Sequence, residues 1–172
     1  MSTLKNSILN FRIGRALKNE KQVRRSVGYE KAQRFGVIFT AGDVRKHDFI
    51  KSFIKRLEAD GKTVETLSFV GENQENHEFL FDFFSEKDFT FFGGLKSEAV
   101  RRFIETPFDY LFHVDMEPNA YAEYVMAKSA ALCRVGYYRE RKNIAYEMMV
   151  KTKEHNIEEL INQLYHYTSS LI

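Results

Sequence analysis

The chain has 172 residues, 44% of them hydrophobic and 29% charged, a size and balance that fit one soluble globular domain with a sizeable core. One cysteine, Cys133, excludes an internal disulfide, implies a reducing compartment and gives almost no support to a zinc site. No apolar run reaches the roughly 20 residues of a membrane span. Arg12, Arg15 and Lys18 break up the N-terminal apolar residues where a secretory signal needs an unbroken stretch, so a cytoplasmic protein is expected.

The net charge of +2 hides an asymmetry. Residues 1–34 hold nine Lys/Arg against Glu20 and Glu30, a net +7, which leaves −5 for the remainder. The sequence therefore reads as a basic amphipathic arm, residues 1–34, on a mildly acidic α/β domain, residues 35–172. In the arm, Leu4, Ile8, Phe11 and Ala16 or Leu17 recur at near-helical spacing, predicting a helix to about Asn19 with Gly14 as a weak point. The polar stretch that follows reads as a linker or a second short helix. The apolar stripe has two uses, packing on the domain or facing a partner.

The domain then alternates. FGVIFT, residues 35–40, predicts a first strand. Val44, Phe49, Ile50, Phe53, Ile54 and Leu57 share one helical face, with Asp43 as N-cap and Gly61 as C-terminal stop. A second strand is expected over 63–70, completing a βαβ unit. Residues 72–78 are acidic and loop-like. Within 79–92 lie seven Phe (79, 81, 83, 84, 89, 91, 92) that fit neither period. They suit a connection packing aromatics over a sheet edge, or a surface for a protein partner or for self-association.

A short helix over 96–105 with Ser97 as N-cap precedes a third strand over 108–114. A helix over 120–132, a fourth strand over 133–138 and a fifth over 144–150 follow. Asn156 caps a last amphipathic helix. This alternation predicts a single Rossmann-like or flavodoxin-like α/β domain of about five mostly parallel strands with helices on both faces. The expected strand order is 2-1-3-4-5.

In such sheets ligands gather beyond the carboxyl ends of the strands. That edge should carry Thr40, Gly42 and Asp43, then His113, Asp115 and Glu117, and after the fourth strand Arg139 and Arg141. Asp43, His113, Asp115 and Glu117 form a weak catalytic set, two or more carboxylates with a His, suited to acid/base work. Each also has an ordinary structural use, Asp43 as a helix cap and His113 as a satisfied core histidine. No spaced-glycine turn, P-loop or G-x-S-x-G elbow is present, and the five His are scattered, so neither a cofactor nor a metal is expected.

From LKNSILNFRIGRALK through RFGVIFTAGD, DFTFFGGLKSEAVRRFIETPFDYLFHVDM and KSAALCRVGYY, the chain resembles a family of small uncharacterised bacterial proteins. FDYLFHVDM followed by AKSAALCRVGYYRE is also similar to a segment of heptosyltransferase-like glycosyltransferases. That likeness implies a Rossmann-like fold and not glycosyl transfer. Those enzymes use two domains and a cleft, and their phosphate- and sugar-binding motifs have no counterpart here.

Two functions follow as expectations. In the first, the protein is a non-enzymatic binding or accessory protein. Its arm contacts a polyanion, structured RNA such as ribosomal RNA, through Lys5, Arg12, Arg15, Lys18, Lys21, Arg24 and Arg25, while the α/β domain contacts protein. An anionic membrane surface is the lesser variant. In the second, the domain is an enzyme domain that binds a nucleotide or sugar nucleotide at the sheet's carboxyl edge. Charge asymmetry favours the first.

Overall fold

A run of apolar residues ending at Thr40, a capped amphipathic helix and a second apolar run set the pattern. The computed structural model describes residues 2–71, 81–140 and 145–172, with side chains from Leu4 onward. In order it contains α1 (Ser2–Lys18), β1 (Arg34–Thr40), α2 (Val44–Ala59), β2 (Thr63–Phe69), β3 (Phe83–Phe84), α3 (Glu98–Glu105), β4 (Tyr110–His113), α4 (Ala120–Lys128), β5 (Cys133–Tyr137), β6 (Met148–Val150) and α5 (Ile157–Ser169). Asp43 caps α2 by accepting from the Lys46 N–H, and Gly61, at φ 78°, takes the left-handed turn that ends it. Ser97, Asn119 and Asn156 cap α3, α4 and α5.

The strands form one sheet in the order β3-β2-β1-β4-β5-β6, and every pairing is parallel. Without β3, the remaining five stand in the expected 2-1-3-4-5 order. The expected count of five omitted β3, whose two residues pair with Ser68 and Phe69 inside the Phe-rich stretch. Two residues are too few to display an alternating pattern. With β3 the order is that of a Rossmann-like sheet, which reverses direction between β1 and β4.

Alternation along the strands divides the core. Phe35, Val37, Phe39, Tyr110, Phe112 and Val135 face α2 and α5, while Ile38, Leu67 and Leu111 face α3, α4 and α1. The Phe-rich stretch divides too. Phe84 and Phe89 are buried, Phe81 lies edge-on to Phe39, and Phe83, Phe91 and Phe92 are exposed. Phe79, the acidic loop over 72–78, Arg141 and Ile144 lie outside the described residues.

The stripe expected on the first helix needs correcting. Leu9 and Ile13 are the residues of α1 buried against the domain, with Ala16 and Leu17 partly covered, whereas Leu4 and Phe11 are exposed. The sequence offered two apolar faces one residue apart, and packing against α4 selected the one with Leu9 and Ile13. After α1 there is no second helix before β1. That segment is held by several bonds: Arg25 N–H to Leu132 O (3.0 Å), Val27 to the Tyr110 hydroxyl, and Lys62 Nζ to Tyr29 O (2.7 Å) and Ala32 O (2.9 Å). Among the described residues, no helix is long and apolar enough to cross a membrane.

Candidate functional site

β1 and β4 are neighbours, so the residues at their carboxyl ends meet where the strand order reverses. Asp115, two residues past β4 and buried, reaches across to β1. Its carboxylate accepts from the Thr40 N–H (2.9 Å), the Thr40 hydroxyl (2.8 Å), Lys46 Nζ (2.6 Å) and His113 Nε2 (3.0 Å). An ionised carboxylate has about four acceptor sites, and four donors engage them. Lys46 comes from the first turn of α2 and also donates to Thr40 O (2.7 Å), and Asn119 Nδ2 donates to the Thr40 hydroxyl (2.9 Å).

Burial by itself raises the Asp115 carboxyl, but the Lys46 ammonium and the His113 N–H outweigh it and hold the group well below the usual carboxylate range. With its proton on Nε2, His113 accepts at Nδ1 from the Tyr146 hydroxyl. Tyr146 fits because residue 136 is glycine. A Cβ there would stand 2.7 Å from the tyrosine's Cζ. The result is an inward-facing chain, Tyr146–His113–Asp115–Lys46, that fastens β1, β4 and α2 together in the crevice where this fold usually receives ligands.

The other expected edge residues do not converge on Asp115. Asp43 is exposed and engaged as the α2 cap, and Glu117 is exposed, with Oε1 3.0 Å from His155 Nε2. Arg139 is a loop clamp, donating to Asp115 O (2.9 Å), Met116 O (3.1 Å), Glu117 O (2.8 Å) and Glu123 Oε1 (3.1 Å). Sequence reasoning missed Lys46, Asn119 and Tyr146. The first two carried faint signals, being a helix's first turn and a helix's cap, while Tyr146 gave none because its partner is thirty-three residues away.

A second locality lies toward the C-terminal end of α4. A cleft of about 710 Å³ runs between α1, the segment after it and α4, and Phe92 forms part of its lining. Of the seven basic residues named from the sequence, the fold brings four to it: Arg12, Arg15, Lys21 and Arg24. Lys128, from the last turn of α4, joins them. Lys5 stands instead near Glu86 (3.8 Å), and Lys18 and Arg25 are exposed but do not line the cleft.

These cations differ in freedom. Arg24 is committed to Glu20, to Ala131 O and, at 2.8 Å, to Ser129 O, and Arg12 donates to Gly93 O (3.3 Å). Arg15, Lys21 and Lys128 are exposed. Among the described residues the cleft has one lining carboxylate, Glu20, and it is already shared between Arg24 and the buried Arg134, which also pairs with Glu147 at 2.6 Å. Two aromatic rings open onto the same space, Phe11 at 71% exposure and Phe92 at 70%. Among the described residues, no group of three or more His, Cys, Asp and Glu is placed to hold a metal.

The chain belongs to a family of unknown function, DUF6913, which it matches over residues 5–171. No curated protein and no solved structure gives a significant match. Membership covers α1 together with the sheet, so arm and domain fall within a single family unit.

Proposed function

We propose that the protein is a non-enzymatic binding protein that holds a polyanion, structured RNA, in the cleft between α1 and α4. The observation that carries this reading is the cleft's charge. Among the described residues, five Lys/Arg line it against one carboxylate, and that carboxylate's charge is taken up by Arg24 and Arg134. Exposed Arg15, Lys21 and Lys128 are placed to meet phosphates without breaking an internal network, and phosphate contact needs nothing more specific than cations on a shaped face. Ribosomal RNA is one source of such a ligand, and the acidic remainder of the domain is left to meet protein.

The alternative of an enzyme domain that takes a nucleotide or sugar nucleotide at the crevice meets an obstacle. A ligand drawn to Asp115 has to displace Lys46, His113 or Thr40 from a carboxylate whose acceptor sites are engaged. That cost favours the cleft.

The test is RNA binding by the intact chain at two salt concentrations, with Arg15→Ala/Lys21→Ala/Lys128→Ala as comparison. Deleting α1 is unsuitable because Leu9 and Ile13 belong to the core. Wild type should bind with a steep salt dependence, and the triple variant should lose roughly 0.7–0.9 of log–log slope for each phosphate contact removed. No binding at low salt, or binding that ignores the three substitutions, sinks the reading.

A further inference from the structure

We infer that the cleft takes an unpaired stretch of RNA, with bases stacked on Phe92 and Phe11 and the backbone along Arg15, Lys21 and Lys128. This rests on the polyanion reading of the same cleft and names the part of the RNA it receives. A polyanion by itself explains the cations. It does not explain two phenylalanine rings exposed by 71% and 70% on the lining of a basic cleft.

Those rings are costly to leave in water. Phe11 sits on the solvent side of α1, away from the face on which Leu9 and Ile13 are buried. Phe92 follows Phe91, itself half exposed, with their rings edge to face at 5.4 Å. An aromatic face beside free cations is the arrangement that binds single strands. Every base has a π-face to stack, and the cations track the phosphates without reading sequence. A paired A-form helix has its bases stacked on each other and closed to such rings, so it would use the cations and leave the aromatics idle. A membrane surface would also take basic and apolar groups together, but it meets a protruding face, and here the cations and rings line a concavity of about 710 Å³.

The experiment measures fluorescence anisotropy of the intact protein with three probes: a mixed-sequence 12-nucleotide single-stranded RNA, the same sequence as a full duplex, and inorganic polyphosphate, which has charge but no bases. Variants are Phe11→Ala, Phe92→Ala, Phe92→Leu and Phe92→Tyr, with urea unfolding as the fold control. The expected result is single strand bound more tightly than duplex, and about tenfold loss on that probe for each Phe→Ala. Phe92→Leu should lose similarly, Phe92→Tyr should retain binding, and polyphosphate affinity should be unchanged throughout.

If duplex and polyphosphate bind as well as the single strand, or the Phe variants bind it normally, stacking is wrong and the polyanion reading survives. If neither RNA nor polyphosphate binds at low salt, both fall. If phosphatidylglycerol vesicles bind through the same Phe residues while RNA does not, both fall and the face is a membrane surface.

Discussion

The two charged localities of this protein face opposite ways. Around Asp115 every donor and acceptor is turned inward, and the buried charge of the carboxylate is matched by Lys46 and His113 at hydrogen-bond distance. In the α1–α4 cleft the internal pairing stops short. Glu20, Arg24 and Arg134 satisfy one another, and Arg15, Lys21 and Lys128 are left in solvent. A buried charge with a full set of partners is what a fold needs for cohesion at a strand junction. Exposed cations beside exposed rings contribute little to cohesion and are free to meet something else. The residue that looks most like a catalytic centre in the sequence is thus one whose acceptor sites are engaged by the fold's own donors.

The sharpest way to break that contrast is to remove Asp115. Asp115→Ala leaves the Lys46 ammonium without its partner and the Thr40 N–H without its acceptor. Urea unfolding should show a loss of about 3–5 kcal/mol. A variant as stable as wild type would mean that the cluster is poised for a ligand and not for cohesion. The same carboxylate sets an acid response. Its folded pKa lies below the unfolded value of about 3.9, so its contribution is present above that pH. As pH falls from there toward the folded pKa, the unfolded chain binds the extra proton and stability drops. Asp115→Asn should flatten that part of the stability–pH curve.

Next in size is the join between the N-terminal segment and the sheet. The Arg134 side chain is 3% exposed and reaches both Glu20 and Glu147. Arg134→Met leaves the partly buried Glu147 without its charged partner and Glu20 with Arg24 alone, at about 3 kcal/mol by the cost of breaking a buried pair. It should also loosen Arg24 and with it the cleft, so RNA affinity should fall together with stability. Smaller again is Gly136→Ala, whose new methyl crowds the Tyr146 ring and should cost about 1–3 kcal/mol in thermal or urea unfolding without changing RNA binding.

Much of this was legible in the sequence, for local reasons. Asp43, Ser97 and Asn156 are caps that act within three residues, and the apolar runs at 35–40 and 108–114 announce buried strands by composition. What stayed hidden depends on distance or on ambiguity of phase. α1 carries Leu4 and Phe11 on one face and Leu9 and Ile13 on the next, and only the presence of α4 decides between them. Tyr146 meets His113, and Lys128 meets the arm's cations, across separations that no periodicity reports. The candidate sites suffered more than the fold because a site is a set of long-range coincidences. Four of the seven basic residues reach one cleft, while Asp43 serves as the α2 cap and Glu117 stands beside His155, neither of them joining Asp115.

The smallest expected effect on stability is also the most discriminating. Replacing Arg15, Lys21 and Lys128 together by Ala removes three exposed charges and no buried contact, so stability should move by no more than about 0.5 kcal/mol per site. Repulsion among the three, which line the same cleft, would even push the change toward stabilisation, since like charges close together are unfavourable. Equilibrium unfolding at low salt, where screening is weakest, is the measurement to use. If the triple variant unfolds like wild type while its RNA affinity collapses, charge in the cleft serves binding and charge at Asp115 serves the fold. A large loss of stability would place those cations in the same inward-facing class as Lys46, and the contrast between the two localities would disappear.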